Sequence, residues 1–551
     1  MWSKHQWPAG ASRVDTRYLW PPRGWNTSAA VSVLAFIVAT GGRAAGVDDA
    51  REQAEQRRGG AVAGATASGI ESEHGRPAGN RADAGGFERM FRLPAFAAPT
   101  DRTRAALLEL GKRGGLMDAG DDLEAGPIEL IVNPSLSVNN PDSEGHTAGV
   151  TFVGQFLDHD MTFDTSSRLG QPTNPRSVPN ARRPFFDLDS VYGSGPAGSP
   201  LYYDPVDGAK LRVETGGRYE DLPRDAFGRA IIADPRNDDN LIVAGLHAAV
   251  LLFHNHAVDL VRREHPGWTR DAVFAEARRI TTWHYQWLII HEILPQFAGP
   301  QTVADVISGG RRFYAPKGGT AYIPVEFQIA YRFGHSMVRP SYRANFTGNT
   351  DRPFFAMVFD PASATSPDPE DLRGGVRSQR RFVGWQTFFR FPGFESDVRP
   401  NKRIDTRLST PLFDLPLGAI PAGAPPTSLA QRNLLRHLTW RIPSGQAIAA
   451  EMGMPVLTAQ ELAELRNIDP QFVESAPLWY YVLREAEVFA DGRHLGPIGG
   501  RLVAEVFIGL LQLDPESYLN RQPDFVPFLG TVAGAFHTTD FLTFAGVAAK
   551  R

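Results

Sequence analysis

Apolar residues recur at a helical spacing along several long stretches of the chain, while strand-like alternation is scarce. Residues 241–263 (LIVAGLHAAVLLFHNHAVDLVRR) are apolar on more than one face, the pattern of a deeply buried helix. Residues 271–294 and the stretch around 500–513 repeat the period. In residues 151–164 (TFVGQFLDHDMTFD), Val153, Phe156 and Leu157 make an inward stripe. Pro and Gly fill the connections, and no repeat of fixed period occurs. The pattern predicts a mainly α fold, a single large helical domain with long loops and little β.

Residues 1–86 read differently. The apolar run 29–40 (AAVSVLAFIVAT) is shorter than the ~20 residues of a spanning helix, so no transmembrane segment is expected there. Lys4, Arg13, Arg17 and Arg23 precede it, and Gly41, Gly42, Ala44 and Ala45 follow, which fits a signal-like leader over 1–45 and a secreted or periplasmic location. No aromatic residue lies between Phe36 and Phe87, so residues 46–86 read as a low-complexity linker that cannot bury enough surface to offset its ordering entropy. The globular domain is expected over 87–551. Composition supports a large core, with 42% apolar and 10% aromatic residues in 551. Lys and Arg (57) nearly balance Asp and Glu (61), for a formal charge of −4, which argues against a nucleic-acid partner held by bulk charge. The absence of cysteine removes disulfides, thiolate metal sites, iron–sulfur clusters and Cys nucleophiles.

Four polar constellations interrupt the apolar text. On a helix over 151–164, Gln155, Asp158 and His159 fall at i, i+3 and i+4, lining one wall with an amide, a carboxylate and an imidazole. Residues 234–240 (DPRNDDN) precede the long apolar helix, with Arg236 and Asp239 at i, i+3; the helix dipole favours acidic residues there, and the plainer alternative is that Asp238 or Asp239 only caps the helix. Residues 331–340 (YRFGHSMVRP) place Arg332 and His335 at i, i+3, and residues 430–446 (AQRNLLRHLTWRIPSGQ) place Asn433 and Arg436 on one face. A ligand His needs a partner that fixes its tautomer, and an amide oxygen accepting from Nδ1–H does so. Four such groups inside an apolar protein exceed what the cost of burying polar groups tolerates by accident.

GQFLDHD, PRNDDN followed by His247 and FHNH, YRFGHSM, and RNLLRH with IPSGQ occur in that order, and together they resemble the animal-type haem peroxidases, the peroxidase–cyclooxygenase superfamily in its bacterial form, over residues 87–541. The resemblance implies a haem peroxidase that reduces hydrogen peroxide and oxidises a halide, thiocyanate or phenol through a ferryl intermediate. It assigns His159 as distal acid–base residue, Arg236 as distal arginine, Gln155 as distal hydrogen-bond donor and His335 as iron ligand. Asn433 would bond the proximal imidazole, and Arg332 and Arg436 would meet the propionates. Haem b would be linked covalently through Asp158; at the second ester position relatives usually have Glu, whereas this chain has Asp239, one methylene shorter. Residues 183–194 (RPFFDLDSVYGS) resemble the family's calcium loop, with Asp160, Asp187, Asp189 and the carbonyls of Arg183 and Phe185 as Ca²⁺ ligands. Relatives often have Thr where this chain has Arg183.

Three other classes compete. A fatty-acid dioxygenase on the same scaffold needs a redox-active Tyr three residues before the proximal His, where this chain has Arg332; Tyr331 lies one residue further back. A His-metal hydrolase could draw on His247, His254, His256, His284, His291 and Glu292, yet no HExxH pairing occurs. A non-enzymatic helical binding module would leave Arg236 and His159 without a purpose.

Overall fold

A computed structural model describes residues 84–549, apart from 216–218, 347–351, 364–365, 367, 377–379 and 421–422. The stretches with helical period form helices, and those that position the polar groups are α1 (Asp101–Leu110), α2 (Ala148–Met161), α3 (Leu241–Glu264), α4 (Arg270–Leu288), α5 (Val325–Ala330), α6 (Leu429–Trp440), α7 (Leu478–Ala490) and α8 (Pro497–Leu511). Among the described residues, strands occur only as four two-stranded pairs. Ala84–Glu88 runs parallel to Ala321–Pro324, and Asp142–Thr147 runs antiparallel to Pro400–Lys402. The expected leader and nearly all of the expected linker lie outside the described residues; the linker's last three residues belong to the first of these strands.

The start of α3 is set by Asn240, whose side chain accepts from the backbone N–H groups of Ile242 and Val243. The plainer reading of Asp238 or Asp239 as the cap therefore does not hold. Asp238 is drawn away by Arg224, 2.6 Å from its carboxylate, and an amide with the right reach stands next in the chain. Helix α3 has the length and hydropathy of a membrane span, yet it lies inside the protein with α4 along one side and α2 against another. Ile242, Val243, Ala248, Ala249 and Phe253 are wholly buried, and full burial of each large apolar side chain is worth ~1.5–3 kcal/mol.

Beyond α4, the expected helix over 271–294 continues through a π-helical turn, Ile289–Ile293, into Leu294–Ala298. The wide turn comes just before Pro295, which has no N–H to continue the ladder. Two motif segments are tighter than an α-helix. Pro235–Asp238 and Tyr331–His335 are both 3₁₀ turns. Residues i and i+3 eclipse in such a turn, so Arg332 and His335 share one face while Tyr331 turns away. A continuous apolar cluster runs from Phe87 to Val547 and joins these elements into one mainly α domain.

Candidate active site

The first wall is α2. Its inward stripe anchors the helix, and all three polar residues of the motif are buried beside it. Gln155 Oε1 accepts from Asn240 Nδ2 at 2.9 Å, so the cap of α3 also holds α2, and Gln155 keeps its Nε2–H to offer a ligand. His159 Nδ1 lies 2.9 Å from Asn237 Oδ1. Asp158 accepts from Thr162 Oγ1 at 3.2 Å through one oxygen, while the other has no hydrogen-bond partner. Burial pushes the Asp158 carboxyl up to about 6, against the pull of Arg236 and Arg332.

Arg236 is fully buried and largely committed. Its Nε and Nη2 bond Asp234 at 2.9 and 2.7 Å, and Nη2 also reaches the carbonyls of His159 (3.2 Å) and Thr162 (2.6 Å) at the C-terminal end of α2. Its guanidinium stacks on Phe163, 4.2 Å from the ring centre. Only Nη1 has no hydrogen-bond partner, and it faces the bare oxygen of Asp158 at 3.7 Å. Arg236 is thus a bolt across the end of α2 with one edge left to meet a ligand. Asp239 is half-buried, and burial raises its carboxyl well above the usual range despite Arg236.

The opposite wall is the turn Tyr331–His335 against α6. Asn433 Nδ2 lies 2.6 Å from His335 Nδ1, and Asn433 Oδ1 accepts from Arg332 Nη1 at 3.2 Å. His335 Nε2 and Arg332 Nε are buried without a hydrogen-bond partner. Burial and the adjacent Arg332 keep the imidazole neutral. Burial, with Arg436 and Arg432 among its neighbours, lowers Arg332 to about 9. Arg436 itself reaches Ser167 Oγ at 3.0 Å and Asp164 at 3.4 Å. Three cations, Arg332, Arg432 and Arg436, crowd here with Asp158 and Asp164 acting on Arg332, a setting that favours a further anion. Tyr331 packs among Phe297, Phe327, Phe333 and Phe507.

Four buried groups at the site therefore lack a hydrogen-bond partner: His335 Nε2, Arg332 Nε, and the facing pair of Arg236 Nη1 and one oxygen of Asp158. Such groups imply a partner that is not protein. A planar metal chelate bearing carboxylates fits this set, since it offers a metal to the imidazole and anions to the arginines.

A second cluster joins the outer side of α2. Asp160, Asp187 and Asp189, all buried, bring one carboxylate oxygen each within 4.8 Å of one another. Asp160 accepts from the N–H groups of Leu188 (3.1 Å) and Ser190 (3.3 Å), and Leu188 takes the left-handed conformation, φ 57°, that aims them. Burial and the two neighbouring carboxylates raise Asp160 well above its usual range, and a dry triad of this kind calls for a proton or a cation. Arg183 was expected to contribute a carbonyl. That carbonyl accepts from Phe185 N–H at 2.8 Å, and the guanidinium pairs with Asp187. Arg182 approaches Asp189 at 3.5 Å.

The histidines of the hydrolase alternative, His247 aside, are each engaged separately. His254 spends its ring nitrogens on Tyr192 Oη (3.0 Å) and Ala209 O (2.9 Å), and His284 on Ile280 O and Phe528 N–H. His291 stacks on Trp287, His256 bonds Phe544 O, and Glu292 holds Thr538. Sequence reasoning missed Asp234, Asn237, Asn240, Arg182 and Asp164. The first three sit inside the DPRNDDN motif, where an acid two residues before Arg236 was the available signal.

The profile of the animal haem peroxidase family matches residues 164–380, a span that holds Arg236, Asp239, Arg332 and His335. A peroxidase-like protein of Margaritifera margaritifera is 26% identical over 331 residues, 45% of this chain and 40% of its own. Thyroid peroxidase of Homo sapiens is 24% identical over 251 residues, 40% of this chain and 27% of its own. The matches thus span less than half the length of these curated relatives. Peroxidase A from Dictyostelium discoideum shares the fold at a TM-score of 0.52 and 17% identity, over 71% of this chain and 84% of that one. The segment that carries Arg236, Asp239, Arg332 and His335 is thus similar to the animal haem peroxidase family.

Proposed function

We propose that the protein is a haem peroxidase that reduces hydrogen peroxide and oxidises a small donor such as a halide, thiocyanate or a phenol. The observation that carries this is His335: a buried, neutral imidazole whose Nδ1 is tied to Asn433 and whose Nε2 has no hydrogen-bond partner. His335 would hold the iron, Arg332 and Arg436 the propionates, and Asp158 the covalent link, with Asp239 one methylene short of a second. Haem, when bound, supplies the metal that receives peroxide and the redox capacity that the cysteine-free chain lacks.

The chain's own part is proton handling and field. His159 Nε2 takes the proton from one peroxide oxygen and returns it to the other, with Nδ1 anchored on Asn237. Arg236 Nη1 and Gln155 Nε2–H present donors to developing negative charge, preorganised because the rest of each group is already bonded. On the proximal side, ligation through Nε2 requires the proton on Nδ1. A half-turn of the Asn433 amide would present its oxygen to that proton and release Arg332 from Asn433 toward a carboxylate. Asp160, Asp187 and Asp189 would hold Ca²⁺ once Arg183 leaves Asp187, fixing the end of α2 next to His159.

The test is phenol oxidation by the haem-loaded protein with hydrogen peroxide. His159→Ala is expected to retain haem and to lose ~10²–10⁴-fold in its reaction with peroxide. An unchanged peroxide reaction in that variant contradicts the proposal.

A further inference from the structure

Three buried side chains join the end of α2 to the N-terminal third of α3. Asn237 stands between two imidazoles, its Oδ1 2.9 Å from His159 Nδ1 and its Nδ2 2.9 Å from His247 Nδ1. His159, Asn237 and His247 are 0%, 0% and 1% exposed. An amide is directional. Its oxygen only accepts, so His159 Nδ1 carries the hydrogen and, in the neutral ring, the lone pair stands on Nε2. Its nitrogen only donates, so His247 Nδ1 is an acceptor. His247 suits that part, since burial lowers it to about 3 and keeps the ring neutral.

Asn237 is itself fixed. Its N–H donates to Asp234 O at 3.0 Å within the 3₁₀ turn Pro235–Asp238, and Arg236 of the same turn grips the His159 carbonyl. One short turn therefore holds His159 by its backbone and by its ring. His247, on α3, meets the edge of Phe156 from α2, so the acceptor for the amide is also set by core packing.

We propose that Asn237 and His247 are positioning residues for the peroxide reaction, a relay that holds His159 in the tautomer whose Nε2 is basic and fixes the angle of its ring. The inference rests on the haem-peroxidase reading, in which His159 is the proton acceptor. Without the relay the ring can rotate and can carry its hydrogen on either nitrogen, so only part of the population presents a base.

The test uses the haem-loaded full-length protein and hydrogen cyanide as probe, because binding as cyanide requires a base to take the proton and involves no electron donor. The rate of the Soret shift on mixing reads that base. Asn237→Leu, which keeps the volume and removes both bonds, should slow cyanide binding about 10–100-fold, a part of the ~10²–10⁴ that acid–base catalysis supplies. Asn237→Asp keeps an acceptor for His159 Nδ1–H and should recover most of the loss. His247→Leu should give a smaller loss, and Asn237→Leu/His247→Leu should be no slower than Asn237→Leu alone, as expected of groups acting in one chain. An Asn237→Leu rate within twofold of wild type while His159→Ala is slow, or an Asn237→Asp rate as low as that of Asn237→Leu, overturns the relay. Failure of the peroxidase reading looks different: the wild type then binds no haem, or His159→Ala binds cyanide as fast as wild type. In that case ¹⁵N-histidine NMR of the protein without haem decides the relay. It predicts an Nδ1–H signal for His159, identified by its loss in His159→Ala, and an Nε2–H signal overturns it.

Discussion

Asp234→Asn isolates the part of the site that stands on buried charge. Asp234 has no exposure and meets two guanidinium groups, Arg236 at 2.9 and 2.7 Å and Arg182 at 3.0 Å, while accepting from Arg236 N–H at 3.0 Å. Burial alone would raise its carboxyl, yet Arg236 and Arg182 outweigh that and hold it well below the usual carboxylate range. Its stabilisation is therefore present at every pH above the unfolded value near 4 and is lost only in strong acid. An asparagine keeps the shape and removes the charge, leaving two buried cations against each other. Breaking a buried pair in this way costs ~3–5 kcal/mol. Denaturant unfolding of the full-length protein at pH 7, followed by tryptophan fluorescence, reads the loss as a lower midpoint at unchanged slope. Asp234→Asn/Arg236→Met should cost less than the sum of its parts, because each single change strands the other's partner. A single-variant loss under ~1 kcal/mol, the value of an exposed pair, would refute the reasoning.

Covalent attachment through Asp158 should exceed that through Asp239, and Asp239→Glu should raise the second link, as read by mass spectrometry of haem peptides after acid–acetone extraction; complete double linkage in the wild type contradicts the chain-length argument. Arg183→Thr should tighten calcium binding by removing the guanidinium that pairs with Asp187, measured by metal analysis and titration calorimetry. Exhaustive chelation should lower turnover while far-UV helicity persists, since the acidic triad touches α2 beside His159 and leaves the core of α3 alone; indifference of activity to chelation, with no calcium found, returns residues 183–194 to a structural turn. Glu485, whose carboxylate accepts from Ile498 and Gly499 N–H at the start of α8, is raised by burial to about 8. Its protonated form is favoured in the fold, so stability should fall as pH rises from near 4.5 through about 8, and Glu485→Gln should flatten that decline in thermal unfolding.

The parts of the site that were legible in the sequence are those fixed by local spacing. The period of 241–263 and the i, i+3, i+4 set of Gln155, Asp158 and His159 reappear as α3 and the buried wall of α2. What escaped is set by contacts distant in the chain or by a change of helix type. No local pattern says that Asn240 will reach Gln155, that Arg182 will meet Asp234, or that Arg436 will face Asp164. The 3₁₀ turn at Tyr331–His335 is equally hidden, because 3.0 and 3.6 residues per turn are indistinguishable over five residues. Arg183 shows the limit of motif transfer. The departure from Thr was visible as a lost oxygen, whereas its guanidinium pairing with Asp187 became visible only in three dimensions.

The central claim is that His335 is the axial ligand of a bound haem, and the absorption spectrum of the purified protein supplied with haem tests it most directly. The wild type should show a Soret band at one haem per chain, and His335→Ala should lose it, since no cysteine exists to replace the imidazole. A wild type without a Soret band, or His335→Ala retaining haem at full stoichiometry, would contradict the account.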